Sequence, residues 1–115
     1  MLRKSRNRRA GPRQAPAPVF AALGDKTRLL LVAKLCDGRH RSISQLAKGS
    51  RLTRQAITKH LRVLESARIV RSARAGRESL FEFNPEPIEE LRQYLALVSA
   101  QWDEALARLK SFVET

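Results

Sequence analysis

A mostly helical fold carrying one small β-hairpin is what this sequence predicts, on three observations. Apolar residues recur at helical spacing from Val19 onward, two short β-prone runs flank Gly76, and residues 88 to 112 keep an unbroken alternation of three and four. The 115 residues fit one compact unit, since domains commonly hold about 100–150 residues.

The elements follow in order. Residues 1–18 are rich in Arg, Pro, Ala and Gln and almost without large apolar groups, so they read as a disordered basic arm. Such an arm can touch DNA, and its Arg-rich, acid-free composition also resembles an organellar transit peptide. Val19, Phe20, Ala22 and Leu23 make a short helix that Gly24 ends. Asp25 caps a second, with Leu29, Leu30, Val32, Ala33 and Cys36 on its inner side and Gly38 as the stop. Ser44 is expected to cap a short third helix carrying Leu46 and Ala47, closed by Gly49. Thr53 caps a fourth that runs to about Ala67. Its inner face is Ala56, Ile57, Leu61 and Leu64, and its outer face Arg54, Gln55, Thr58, Lys59 and Arg62. Ile69-Val70 and Leu80-Phe81-Phe83 then form a hairpin around Arg74-Ala75-Gly76-Arg77, and a last helix extends from Asn84-Pro85 to Val113. The organisation is an arm (1–18), a body of short helices and a hairpin (19–84) and a long last helix (85–115) of the same unit.

Charge narrows the function. The chain carries 23 Lys and Arg against 11 Asp and Glu, a formal net charge of +12, which favours a polyanionic partner. Its distribution is uneven: residues 39–77 hold eleven basic groups against Glu65 alone, whereas residues 78–115 hold three against eight acids. The middle is therefore a binding face and the last third serves something else. The single cysteine, Cys36, excludes an intramolecular disulfide; its apolar neighbourhood reads as a buried, inert thiol in a reducing, cytoplasmic setting. No apolar run approaches the roughly 18 residues of a membrane span. A Gly-rich phosphate loop, a nucleophile elbow and a paired-carboxylate arrangement are all missing, so the sequence reads as no enzyme.

A short helix, a tight connection and a second helix with exposed Arg, Gln, Thr and Lys is the layout of a helix-turn-helix. Arg54, Gln55, Thr58 and Lys59 lie at i, i+1, i+4 and i+5, so a helix in the major groove aims all four at base edges. Thr53 and Arg62 flank them toward phosphates. The hairpin is a wing: Arg71 along the strand and Arg74 and Arg77 at the tip meet backbone, which positions the reader without specifying sequence. The last helix carries a coiled-coil-like seam of Ile88, Leu91, Leu95, Val98, Trp102, Ala105, Leu109 and Phe112, widened by Tyr94, Leu97, Leu106 and Val113. A homodimer built on this seam together with Phe20 and Leu23 is the expectation.

Three stretches carry a family resemblance. Phe20 to Arg28 (FAALGDKTR), Leu52 to Leu64 (LTRQAITKHLRVL) and Ile69-Val70 leading into Gly76-Arg77 make the chain resemble the ArsR family of bacterial winged-helix regulators. The resemblance implies a homodimeric repressor with base contacts at Arg54, Gln55, Thr58 and Lys59. It also raises the question of a metal sensor. Where metal-sensing members have Cys-x-Cys, this chain has Ser42-Ile43-Ser44, and hydroxyls are poor ligands for soft metals. Residues 85–115 contain no histidine, and His40, His60 and Cys36 do not cluster in sequence, so no metal and no other cofactor is expected. The partners read from the sequence are double-stranded DNA and a second copy of the chain, with no membrane, in a nucleoid-associated, cytoplasmic setting. The two rival readings are an unspecific architectural DNA binder and a protein-interaction adaptor. The operator, the regulated genes, the inducing signal and the sign of regulation are not encoded in any motif.

Overall fold

The computed structural model describes residues 16–114. Along the chain come α1 (Pro16–Leu23), α2 (Lys26–Leu35), β1 (Arg41–Ser42), α3 (Ile43–Ala47), α4 (Arg54–Ser66), β2 (Val70–Ala75), β3 (Glu78–Phe83) and α5 (Glu86–Glu114). The fold is mostly helical with a three-stranded antiparallel sheet in the order β1-β3-β2. Helix α1 starts at Pro16, inside the segment expected as an arm, and residues 1–15 lie outside the described residues.

Caps set the helix boundaries. Asp25 is extended at φ −146° and accepts the Arg28 N–H at 3.0 Å, satisfying one of the donors that a helix start leaves open. Helix α3 is capped by Ser42 rather than by Ser44. Ser42 Oγ accepts the Gln45 N–H at 3.2 Å while Gln45 Oε1 accepts the Ser42 N–H at 2.8 Å, a reciprocal box that needs the Ser-x-x-Gln spacing. Thr53 caps α4 by accepting the Ala56 N–H at 3.0 Å.

Helix α4 ends in a Schellman turn: Arg68 N–H reaches Glu65 O at 2.9 Å and Ile69 N–H reaches Leu64 O at 3.0 Å. The turn places Arg68 at φ 64°, a left-handed conformation ordinarily left to glycine. It also brings Ile69 and Leu64 together, both fully buried, so the chain enters β2 already anchored in the core. At the other end of β2, Gly76 takes φ 66° at the first central position of a two-residue turn, since Ala75 pairs with Glu78.

The core is a cluster of Leu31, Leu35, Leu46, Ile57, Leu61, Leu64, Ile69, Val70, Phe81 and Leu91, with Val19 and Ala22 from α1. Each such aliphatic side chain stabilises the fold by about 1.5–3 kcal/mol. Helix α2 faces it differently from the sequence expectation. Leu31, Val32 and Leu35 are buried, whereas Leu29 and Leu30 are 52% and 57% exposed. Three consecutive leucines carry no phase of their own; Leu35, one turn after Leu31, sets it. Ala33 is exposed for the same reason. Cys36, expected to be buried, forms the exposed C-terminal cap of α2.

Strand β1 was not foreseen. Its two residues pair with β3, Arg41 opposite Phe81 and Ser42 opposite Leu80, so β3 is a central strand and Phe81 is covered. Helix α5 is about 43 Å long at 1.5 Å per residue, and among the described residues its buried side chains lie in its first third. Pro87 and Leu91 are buried and Ile88 is half-buried against the core. Ile88 and Leu91, expected on the partner-facing seam, are thus committed within the chain.

Candidate nucleic-acid interface

Helices α3 and α4 meet across a connection closed by Gly49 at φ 80°, and α4 buries Ile57, Leu61 and Leu64. Burying that stripe forces the opposite stripe outward. Thr53, Arg54, Gln55, Lys59 and Arg62 are exposed and Thr58 is half-buried. Thr58 Oγ1 donates to Arg54 O at 2.8 Å, which commits its hydroxyl proton to the helix and leaves its lone pairs as acceptors. Thr58 therefore suits a base-edge donor, while Arg54 and Lys59 suit acceptors and Gln55 either.

The wing approaches the same region. An open cleft of about 180 Å³ is lined by Ser42, Ile43, Ser44, Arg54, Arg77, Glu78 and Ser79, so the first residue of α4 and the wing turn share one concavity. Ser44 contributes to this wall because Ser42 has taken over the capping role. Ser44, expected as the cap, lines the cleft instead, and the Ser-x-x-Gln spacing of Ser42 and Gln45 is the sequence signal for the cap. Ser72 Oγ donates to Glu65 Oε2 at 2.6 Å, fastening β2 to the last turn of α4. Glu65, the lone acid among residues 39–77, is thereby spent on holding the wing.

Not all basic groups assigned to the face are equivalent. Arg71 lies opposite Glu82 in the register and donates Nε–H to it at 2.8 Å, while His40 Nε2 stands 3.0 Å from the same carboxylate. Arg71, and secondarily His40, hold the Glu82 carboxyl below its ordinary range. Arg71 is thus already paired, and so is Arg41, which clamps both oxygens of Asp37 at 2.9 and 2.7 Å. Hydrogen bonding from Arg41 and the Arg39 N–H holds that carboxyl far below its usual value. Arg54, Lys59, Arg62, Arg74 and Arg77 have no ion-pair partner among the described residues. These five leave an uncompensated positive field over α4 and the wing, the arrangement that releases counterions from a phosphate backbone.

The remaining assigned residues lie away from this face. Phe20 of α1 and Tyr94 of α5 meet edge to face, ring centroids 6.2 Å apart, and Leu23 is half-buried against the core. Leu95, Trp102 and Leu109 are exposed at 49%, 63% and 57%, and Val98 is half-buried. No group of three or more His, Cys, Asp or Glu side chains among the described residues is placed to hold a metal ion. No helix among them is long and apolar enough to cross a membrane.

Comparison with known proteins agrees with this geometry. Residues 25–72, from the α2 cap to the middle of β2, match the arsR family of bacterial regulatory proteins. The chain is 39% identical over 79 residues to the uncharacterized HTH-type transcriptional regulator YuzN of Bacillus subtilis (strain 168), covering 64% of this chain and 86% of that protein. It is 28% identical over 102 residues to the HTH-type transcriptional regulator Rv2034 of Mycobacterium tuberculosis, covering 89% and 92%. Among solved structures, an ArsR-like transcriptional regulator from Rhodococcus sp. RHA1 superposes with a TM-score of 0.72 at 36% identity, over 84% of this chain and 91% of that one. Fold and relatives agree: the chain belongs to the ArsR family of winged helix-turn-helix proteins, and is a DNA-binding transcriptional regulator rather than an enzyme.

Proposed function

We propose that this regulator is a homodimeric repressor that binds an inverted-repeat operator in the cytoplasm. Helix α4 enters the major groove with Arg54, Gln55, Thr58 and Lys59 toward base edges. Thr53 and Arg62 flank it at the backbone, and Arg74 and Arg77 of the wing track a neighbouring phosphate strand. The observation that carries the reading is the shared cleft of Arg54 and Arg77, two guanidinium groups on separate elements that line one concavity and have no ion pair among the described residues. Arg71, bound to Glu82, serves the wing's shape more than the DNA.

The dimer reading rests on α5. Beyond Leu91 its apolar residues Leu95, Leu97, Trp102, Leu106 and Leu109 are all about half exposed or more. A ridge that long on one helix matches a partner helix better than solvent. The interface we propose runs from Tyr94 and Leu95 through Val98 and Trp102 to Leu109, with Phe20 extending it and Ile88 and Leu91 left inside each protomer.

Selection of bound fragments from genomic DNA, followed by competition against random duplex, tests the reading. Recovery of a palindromic site with half-site centres about 10 bp or a multiple apart is the expected result. Equal affinity for unrelated sequences would make the protein an architectural binder instead, and no binding at low salt would make it a protein-interaction adaptor.

A further inference from the structure

The side chain of Arg28 does something that neither base contact nor the core explains. Its Nε donates to Ala22 O at 2.6 Å, its Nη2 reaches Ala21 O at 3.5 Å, and its Nη1 stands 3.2 Å from Nδ1 of His60. The two carbonyls belong to the last turn of α1, where helix acceptors lack intrahelical donors. His60 sits on α4, one residue after Lys59. One guanidinium therefore joins the end of α1 to the middle of the reader helix. Through Phe20 and Tyr94, α1 is in turn seated on α5.

Chemistry fixes the state of the imidazole in this contact. Guanidinium has donors and no acceptor, so Nδ1 offers a lone pair and the ring proton sits on Nε2. On the other side of Nδ1, the Asp25 carboxylate lies at 3.7 Å. That carboxyl is held below its usual range, first by the hydrogen bond from the Arg28 N–H and also by the Arg28 charge. Nδ1 thus stands between a cation and an anion: neutral, it accepts from Arg28; protonated, it turns against Arg28 and toward Asp25. Arg28 and Asp25 are the charged groups recorded against His60 among the described residues.

We propose that Arg28 and His60 are positioning residues for DNA recognition, a strut that sets the angle of α4 against α1 and is weakened when His60 takes a proton. The inference rests on the functional reading above. Neither residue is placed on the groove-facing stripe, and both are partly buried, so the strut acts through the orientation of Arg54, Gln55, Thr58 and Lys59.

The test uses the full chain and its selected operator duplex, with affinity read by fluorescence anisotropy at several salt concentrations and from about pH 5.5 to about 8, the range in which histidine titrates. Arg28→Lys keeps the charge and loses the fork, so affinity falls roughly tenfold, as losing a charged hydrogen bond would give. The salt dependence keeps its slope, because no phosphate contact is lost. His60→Asn keeps a neutral acceptor near the Nδ1 position and cannot take the proton. Whatever its affinity near neutrality, it loses part of the decline that the parent shows on acidification. His40, paired with Glu82, is present in both and cancels.

Parent-like affinity in Arg28→Lys would overturn the proposal. So would a slope shallower by about 0.9, the signature of a lost phosphate contact, or an acid decline in His60→Asn equal to the parent's. Should Arg28→Lys fail to fold, the pH profile of His60→Asn decides alone. Failure of the parent to select any operator would instead defeat the functional reading on which the strut rests.

Discussion

Ser72 on the first wing strand donates its hydroxyl to Glu65 on the last turn of the reader helix at 2.6 Å. The wing is therefore not a free hairpin. It is braced against the helix whose exposed face we propose as the reader, and the brace uses the one acid in a segment of eleven bases.

Loosening that brace should affect all DNA alike. Ser72→Ala leaves the hairpin ladder intact, so affinity should drop by a few-fold, about 0.5–1 kcal/mol for one net hydrogen bond, with base preference unchanged. A binding assay on the operator and on single-base variants checks it; altered preference would mean that the wing itself reads bases.

The two parts of α5 should separate by mutation. Leu91 is 5% exposed and Trp102 63%. Leu91→Ala should cost about 2–5 kcal/mol of stability as a buried leucine truncation. Leu95 and Trp102 changed together to Gln should leave each protomer folded while abolishing the dimer, and operator binding with it. Sedimentation combined with a mobility shift reads both; a double variant that remains dimeric puts the interface elsewhere.

Arg68 pays for its left-handed turn with backbone strain. Its exposed ion pair with Glu86 at 2.6 Å returns little of that cost. Arg68→Gly should therefore raise stability by about 0.5–1 kcal/mol, seen as a higher denaturant midpoint at unchanged slope. A lower midpoint would show that the Glu86 pair outweighs the strain.

Acid should weaken the fold through Asp37. Its carboxyl is held below the unfolded value by Arg41, so its stabilising contribution is complete above the ordinary carboxylate range and is lost as pH falls through the depressed folded value. Asp37→Asn should flatten the acid limb of a stability-versus-pH curve, and an unchanged acid limb would assign the loss to other carboxylates.

Much of the fold was legible because its signals are local. Asp25 and Thr53 announce their helices by chemistry within three residues, and Ile57, Leu61 and Leu64 fix the phase of α4, which exposes Arg54, Gln55 and Lys59 as a consequence. What escaped depends on distant partners. Strand β1 exists because Arg41 and Ser42 lie beside Phe81 and Leu80, nearly forty residues away, and two residues hold no periodicity. The same holds for the Leu29–Leu31 run, whose inward member is chosen by the core it meets. Arg71 and Arg77 look alike in sequence, yet register gives Arg71 a carboxylate and leaves Arg77 without an ion pair among the described residues. The long apolar alternation of α5 concealed a division, since Ile88 and Leu91 serve the chain's own core while Leu95, Trp102 and Leu109 stand exposed.

The most direct measurement of the central claim, that the exposed stripe of α4 carries sequence recognition, is the ratio of operator to random-duplex affinity at one fixed salt concentration. It should be taken for the parent chain, for Arg54→Ala and Gln55→Ala, and for Arg74→Ala and Arg77→Ala. The reader variants should lose about 1–3 kcal/mol on the operator and have a collapsed ratio, while the wing variants should weaken both duplexes equally and keep it. A ratio unchanged in both reader variants would contradict the assignment of α4 as the reading helix.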